Sequence, residues 1–125
     1  EGVRVLCTAN VPDADWAARA YVERYHTSDV WSIEGIRLAA RDGASPRAWL
    51  GEEVVPEEAY RRSEFYCDFG RRVGVRHIIG APAALGGGAF AMLGLHRPAD
   101  AMPFRPADAE AVTAALPHLR RALML

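Results

Sequence analysis

Lysine is absent from this chain: all 15 basic residues are arginine, set against 16 acidic ones for a formal charge of −1 over 125 residues. That balance provides no general positive field for a phosphate backbone, so bulk electrostatics give the segment no affinity for nucleic acid. With alanine abundant as well, the arginine bias reads as the imprint of GC-rich coding DNA rather than as a set of separate functional guanidinium groups. Cysteine is scarce. Cys7 and Cys67 lie far apart without metal-ligand company at zinc spacing, and read as reduced, buried thiols. No apolar run approaches the roughly 20 residues of a membrane span and no signal peptide is visible, so a cytoplasmic protein without a membrane partner is the expectation. His26, His77, His96 and His118 make no H-x-x-x-H or similar pair, which leaves metal catalysis without a ligand set, and no cofactor is expected. Cys67 and His77 could supply a thiol and a base but no third residue to orient them, so a small thiol enzyme is the weakest alternative. The glycines of "LGGGAF" join two apolar runs and lack the lysine of a P-loop, which makes them a hairpin connection and not a phosphate cradle.

The apolar half of the chain is enough for one core, and it is patterned. Residues 3–9, "VRVLCTA", alternate as a half-buried strand does. Asp13 is placed to cap a helix running to about Thr27, with Trp16, Ala17, Ala20, Tyr21 and Tyr25 on its apolar face and Arg19, Glu23 and Arg24 outward. Residues 28–55 are the least regular part, with a surface loop around Gly43 and Pro46 bracketed by Trp31 and Trp49, and a short helix or strand before it. Pro56 opens a second helix with Glu57 and Glu58 in its first turn, which Gly70 and Gly74 weaken and end. Residues 75–83 and 89–97 predict an antiparallel hairpin, with Pro82 near a strand end or on an outer edge. In its second strand Phe90, Met92, Gly94 and His96 point one way and Ala91, Leu93 and Leu95 the other, so the sheet is expected to be covered on both faces. A last helix begins at Pro106, and Ala109, Val112, Leu116, Leu119 and Leu123 lay one stripe along it. Pro117 removes the N–H that the Thr113 carbonyl would accept and should bend this helix. The order of elements predicts an α+β domain on an antiparallel sheet, and the ends, without an initiator methionine or a helix stop, read as cropped from a longer chain.

Three segments carry a resemblance: "RRSEFYCDFGRRVGVRHIIGAP", the strand containing "LGLHR", and "FRPADAEAVTAALPHLRRAL". Together they resemble the sensory domain of LuxR-type bacterial transcription regulators, in which an S-E-F-Y helix, a G-(V/I/L)-x-H strand entry and a closing P-H-L-x-R-A-L recur. The likeness covers about half the chain well. It implies a PAS- or GAF-like fold, a final helix leading to a helix-turn-helix domain beyond residue 125, and DNA binding only through that domain. The quorum-sensing branch carries a tryptophan and tyrosines on an early helix and an Asp-Pro pair after it, roughly the pattern of Trp16, Tyr21, Tyr25 and Asp29 here. Val30 departs from it where proline stands in that branch, and Arg105 departs where the family places a serine or threonine cap.

Residues and resemblance together point to a non-enzymatic sensor for a small apolar or amphipathic ligand. Trp16, Tyr21, Tyr25, Trp31, Trp49, Phe65 and Phe69 would wall the site, Gly80, Ala91 and Gly94 would leave space over the sheet, and Asp29 and His77 would orient a polar group. A homodimer through Val112, Leu116, Leu119 and Leu123 is expected. The competing reading is a ligand-free dimerisation module, since aromatics at helical spacing usually form a core. The balanced charge yields a first test. Titrated against its parent promoter in low salt, this segment alone is expected to show no saturable, sequence-dependent binding.

Overall fold

The computed structural model describes residues 3–5, 8–42 and 46–124. Cys7, the middle of the strand expected at 3–9, the tip of the loop at 43–45 and Leu125 lie outside the described residues, and residues 3–5 and 8 are not in a strand. The sheet has three strands, β1 (Trp49–Leu50), β2 (His77–Gly86) and β3 (Ala89–Arg97), in the order β1-β2-β3 and antiparallel throughout. The hairpin follows from its glycines. Gly86, Gly87 and Gly88 all have positive φ, 91°, 59° and 80°, which residues with a Cβ adopt only under strain. Pro82 pairs with Met92 inside the hairpin, while β1 reaches only Ile79 and Gly80, so the other edge of β2 is open at the proline.

The helices depart from the sequence reading in three places. Helix α1 (Ala14–Glu23) stops short of Thr27, and a tight turn, Tyr25–Ser28, takes over. Asp13 does not cap it: the residue sits at φ 52° with its carboxylate accepting from Arg72 at 2.9 Å, and the Arg72 guanidinium lies 3.5 Å over the Trp16 ring. The region read as least regular holds a thirteen-residue helix, α2 (Val30–Asp42). After β1 and the single turn α3 (Gly51–Val54), the helix expected from Pro56 divides into α4 (Glu57–Arg62), a wide-turned stretch Phe65–Gly70, and α5 (Arg71–Val73). Ser63 makes the break. Its hydroxyl donates to the Tyr60 carbonyl at 2.7 Å and accepts from the Tyr66 N–H at 3.2 Å, a local alternative to the helical ladder. Gly70 is helical, not a breaker, and Gly74 at φ 77° ends the run.

Helix α6 (Pro106–Leu123) starts on Pro106 and runs unbroken through Pro117. Its missing serine or threonine cap is replaced in reverse, with the Arg105 N–H donating to the Asp108 carboxylate at 2.7 Å. Alternation along β2 divides the core in two. Ile79 and Ala81 face α6, where Ala109 and Leu116 are buried, and Val112 and Leu119 pack against them half-buried. Ile78 faces the helical layer of Trp31, Trp49, Tyr60, Phe65 and Phe69. The cover is incomplete. β3 is an outer strand with most of its residues exposed, Phe90 by 54% and Leu95 by 37%, so the expectation of a sheet covered on both faces holds for β2 and fails for β3.

Trp49, 1% exposed, joins the layers. Its indole lies between Gly35 of α2 and Gly80 of β2 so closely that a Cβ added at either glycine would overlap ring carbons. Gly80→Ala is therefore expected to lose about 1–3 kcal/mol by overpacking. Urea denaturation in a Trp49→Leu background should show that loss largely removed; an equal loss in both backgrounds would contradict the packing described.

Candidate functional site

The aromatic side chains singled out from the sequence converge. Trp16 stacks on Phe69 at 5.7 Å between ring centroids, Tyr25 lies 5.1 Å from Phe69, Tyr21 meets Phe65 edge-on at 6.3 Å, and Phe65 lies 5.3 Å from Phe69. Trp31 stacks on Tyr60 at 3.6 Å and 14°. Five elements thus contribute rings to one layer, which accounts for much of the burial on this side of the sheet. It is a filled layer. Trp31, Trp49, Tyr60, Phe65 and Phe69 are all buried, and the space that Gly80 leaves over the sheet is taken by the Trp49 ring. The Gly94 position is overlain by its neighbour, where a Cβ would come 2.9 Å from His96 Nε2, and Ala91 points to the α6 side.

Asp29 is the buried charged residue of this layer, and its partners explain its burial. It accepts from the Tyr21 hydroxyl at 2.6 Å, from the Ser32 hydroxyl at 2.8 Å and from the Ser32 N–H at 3.2 Å, which makes it the N-cap of α2. Burial, and after it the Asp29 charge, push the Tyr21 phenol far above the usual tyrosine range. Tyr60, which donates to the Val75 carbonyl at 2.6 Å across Gly70, is pushed up for the same two reasons in the same order. Both rings are therefore held as neutral donors. The carboxylate expected to orient a ligand already orients α1, the Tyr25–Ser28 turn and α2 relative to one another.

His77 is not beside it. Alternation puts His77 on the face of Ile79, opposite Ile78 and the aromatic layer, with burial first and the neighbouring Arg76 guanidinium second holding its imidazole below the usual range. His96, on the same face as Gly94, is the histidine that feels the Asp29 charge. Cys67 is exposed, with its thiol directed to the Arg61 carbonyl at 3.5 Å, so the buried-thiol expectation is corrected for this residue. Among the described residues no group of three or more potential metal-ligating side chains occurs, and no helix is long and apolar enough to cross a membrane.

Sequence reasoning passed over Tyr60, Ser32, Gly35 and Gly51. Gly51 admits Trp31, since a Cβ there would come 2.8 Å from the Trp31 indole nitrogen. On α6, Leu116 is a core residue and Val112 and Leu119 lean on it, so the expected dimer stripe is in large part internal. Beside it an open trough of about 550 Å3 runs between α6 and β3, walled by Leu93, Leu95, Ala111, Ala115 and Leu119. No protein-family model matches the chain, and no curated protein or solved structure matches it either.

The buried tyrosines set an alkaline limit. Their stabilisation is present in full below about pH 10, the unfolded-state value, and is lost as the pH rises toward their raised folded-state values. Tyrosinate absorbance for these two residues is expected to appear together with loss of near-UV circular dichroism, and Tyr21→Phe should cost about 1–3 kcal/mol at neutral pH while flattening the alkaline slope. All four tyrosines titrating near their ordinary value in a folded chain would contradict this.

Proposed function

We propose that this chain is the sensory domain of a LuxR-type transcription regulator, PAS- or GAF-like in fold and acting in the cytoplasm without catalysing a reaction. The observation that supports it most is the position of α6. The helix that carries the P-H-L-x-R-A-L segment packs across β2 on the face opposite the aromatic layer, with Thr113 accepting from the Ala48 N–H at 2.9 Å just before β1. A displacement of α2 or β1 on one side of the sheet reaches α6 through Trp49, Gly80 and the Ala48–Thr113 hydrogen bond. α6 in turn would carry it to a DNA-binding domain beyond Leu125. A homodimer belongs to the same reading, and the apolar trough between α6 and β3 is the surface that favours it.

One observation favours a second reading. The aromatic layer is filled by its own side chains, as a ligand-free dimerisation module requires. Both readings place a helix-turn-helix in the same gene. The reading frame past Leu125 is expected to encode one within a few tens of residues, and a stop codon there overturns the regulatory proposal in either form.

A further inference from the structure

We propose that a groove outside the aromatic layer binds an amphipathic anion, a medium-chain carboxylate, at the open end of the sheet. The groove measures about 580 Å3 and lies where α2, the tail of β2, the start of β3 and α6 meet. Its apolar walls are Leu38 from α2, Pro82 and Ala84 from β2, Phe90 from β3 and Pro117 from α6. β1 ends its pairing at Ile79 and Gly80, so the edge of β2 beyond is uncovered and the groove exists because the first strand is short.

Charge decides the ligand class. In a chain with balanced charge the described residues that line the groove include two arginines and no acidic one. Arg47 is engaged, donating to the Ala48 carbonyl at 3.2 Å and to Glu53 at 3.4 Å. Arg120 is held differently. Its Nε donates to the Ala84 carbonyl at 3.0 Å, which fixes the guanidinium at the rim, and its terminal nitrogens have no acceptor among the described residues. A pinned guanidinium with its outer edge free is suited to a carboxylate, and the apolar surface behind it is suited to an alkyl chain. Trp49, whose buried Nε1 donor has no hydrogen-bond partner among the described residues, forms part of the same wall and reports on occupancy. An occupant would touch α2, the sheet and α6 at Pro117 at once, which is what a regulatory ligand of the proposed sensor must do. The inference rests on that reading for its purpose and not for its chemistry.

Sodium decanoate, kept below its micelle-forming concentration, is the probe, with decanol and decyltrimethylammonium as the neutral and cationic equivalents. Calorimetry and tryptophan emission are expected to show saturable one-to-one binding of decanoate, weakened about ten-fold or more by Arg120→Ala and for decanol on the unaltered chain. Ala84→Phe, which fills the groove from an exposed strand position, should abolish binding with far-UV circular dichroism unchanged. Absence of saturable decanoate binding overturns the proposal. So does binding that decanol or the cation matches, or that both substitutions leave intact. A stop codon after Leu125 would remove the regulatory reading and leave this titration as it stands, so the two failures are distinguishable.

Discussion

The indole of Trp49 determines how closely the helical layer can approach the sheet. Wedged between a helical glycine and a strand glycine, it replaces what would ordinarily be two layers of side chains with one ring, and α2 is drawn down onto β2. The cost is visible in the same residue, because its buried indole N–H has no partner among the described residues, a loss of about 1–3 kcal/mol that the packing must exceed. Close approach is what allows Trp31 to stack on Tyr60 and Asp29 to accept directly from Tyr21.

From that constraint the character of the domain follows. Asp29 is buried and fully useful at once, since its three acceptor roles tie two stretches of chain together: one holds Tyr21 of α1 and two hold Ser32 in the first turn of α2. The aromatic residues that resemble a ligand wall have become a rigid slab. The places where the molecule offers open apolar surface lie at its margins, against α6, where the sheet is narrow and its short first strand leaves an edge uncovered.

The hairpin and α6 were legible because their signals are local. Three glycines that need positive φ lie between two alternating runs, and Pro106 with Asp108 marks a helix start whatever the rest of the chain does. Helix α2 was not legible because the two residues that obscure its stripe, Ser32 and Gly35, are there for partners elsewhere, a buried carboxylate and a tryptophan fourteen positions on. The break at Ser63 depends on one hydroxyl choosing its own backbone, which periodicity does not register. For the site, hydrophobic spacing foretold that Trp16, Tyr21, Tyr25 and Phe69 would share a wall. It could not foretell that the volume in front of the wall would be consumed, because that depends on how far two glycines let one ring descend. His77, expected to orient a polar group together with Asp29, lies on the other face of β2 for a related reason: in a strand, one position decides the face.

The outer margin of β3 has a consequence for the life of the molecule in concentrated solution. From Ala89 to Leu95 the strand carries no charged side chain and no proline, and its arginine, Arg97, stands at the very end. Most strands that border water are guarded by such residues, by a bulge or by a covering loop. Among the described residues β3 is the last strand of the sheet, so its outer edge is unpaired beside the exposed Phe90 and Leu95, and the register irregularity near the hairpin, between Ala84 and Gly86, touches only its first two residues. Colloidal behaviour and conformational stability are thereby separate properties: tightening the interior leaves this margin as it is, whereas an ion placed midway along it acts on the margin alone.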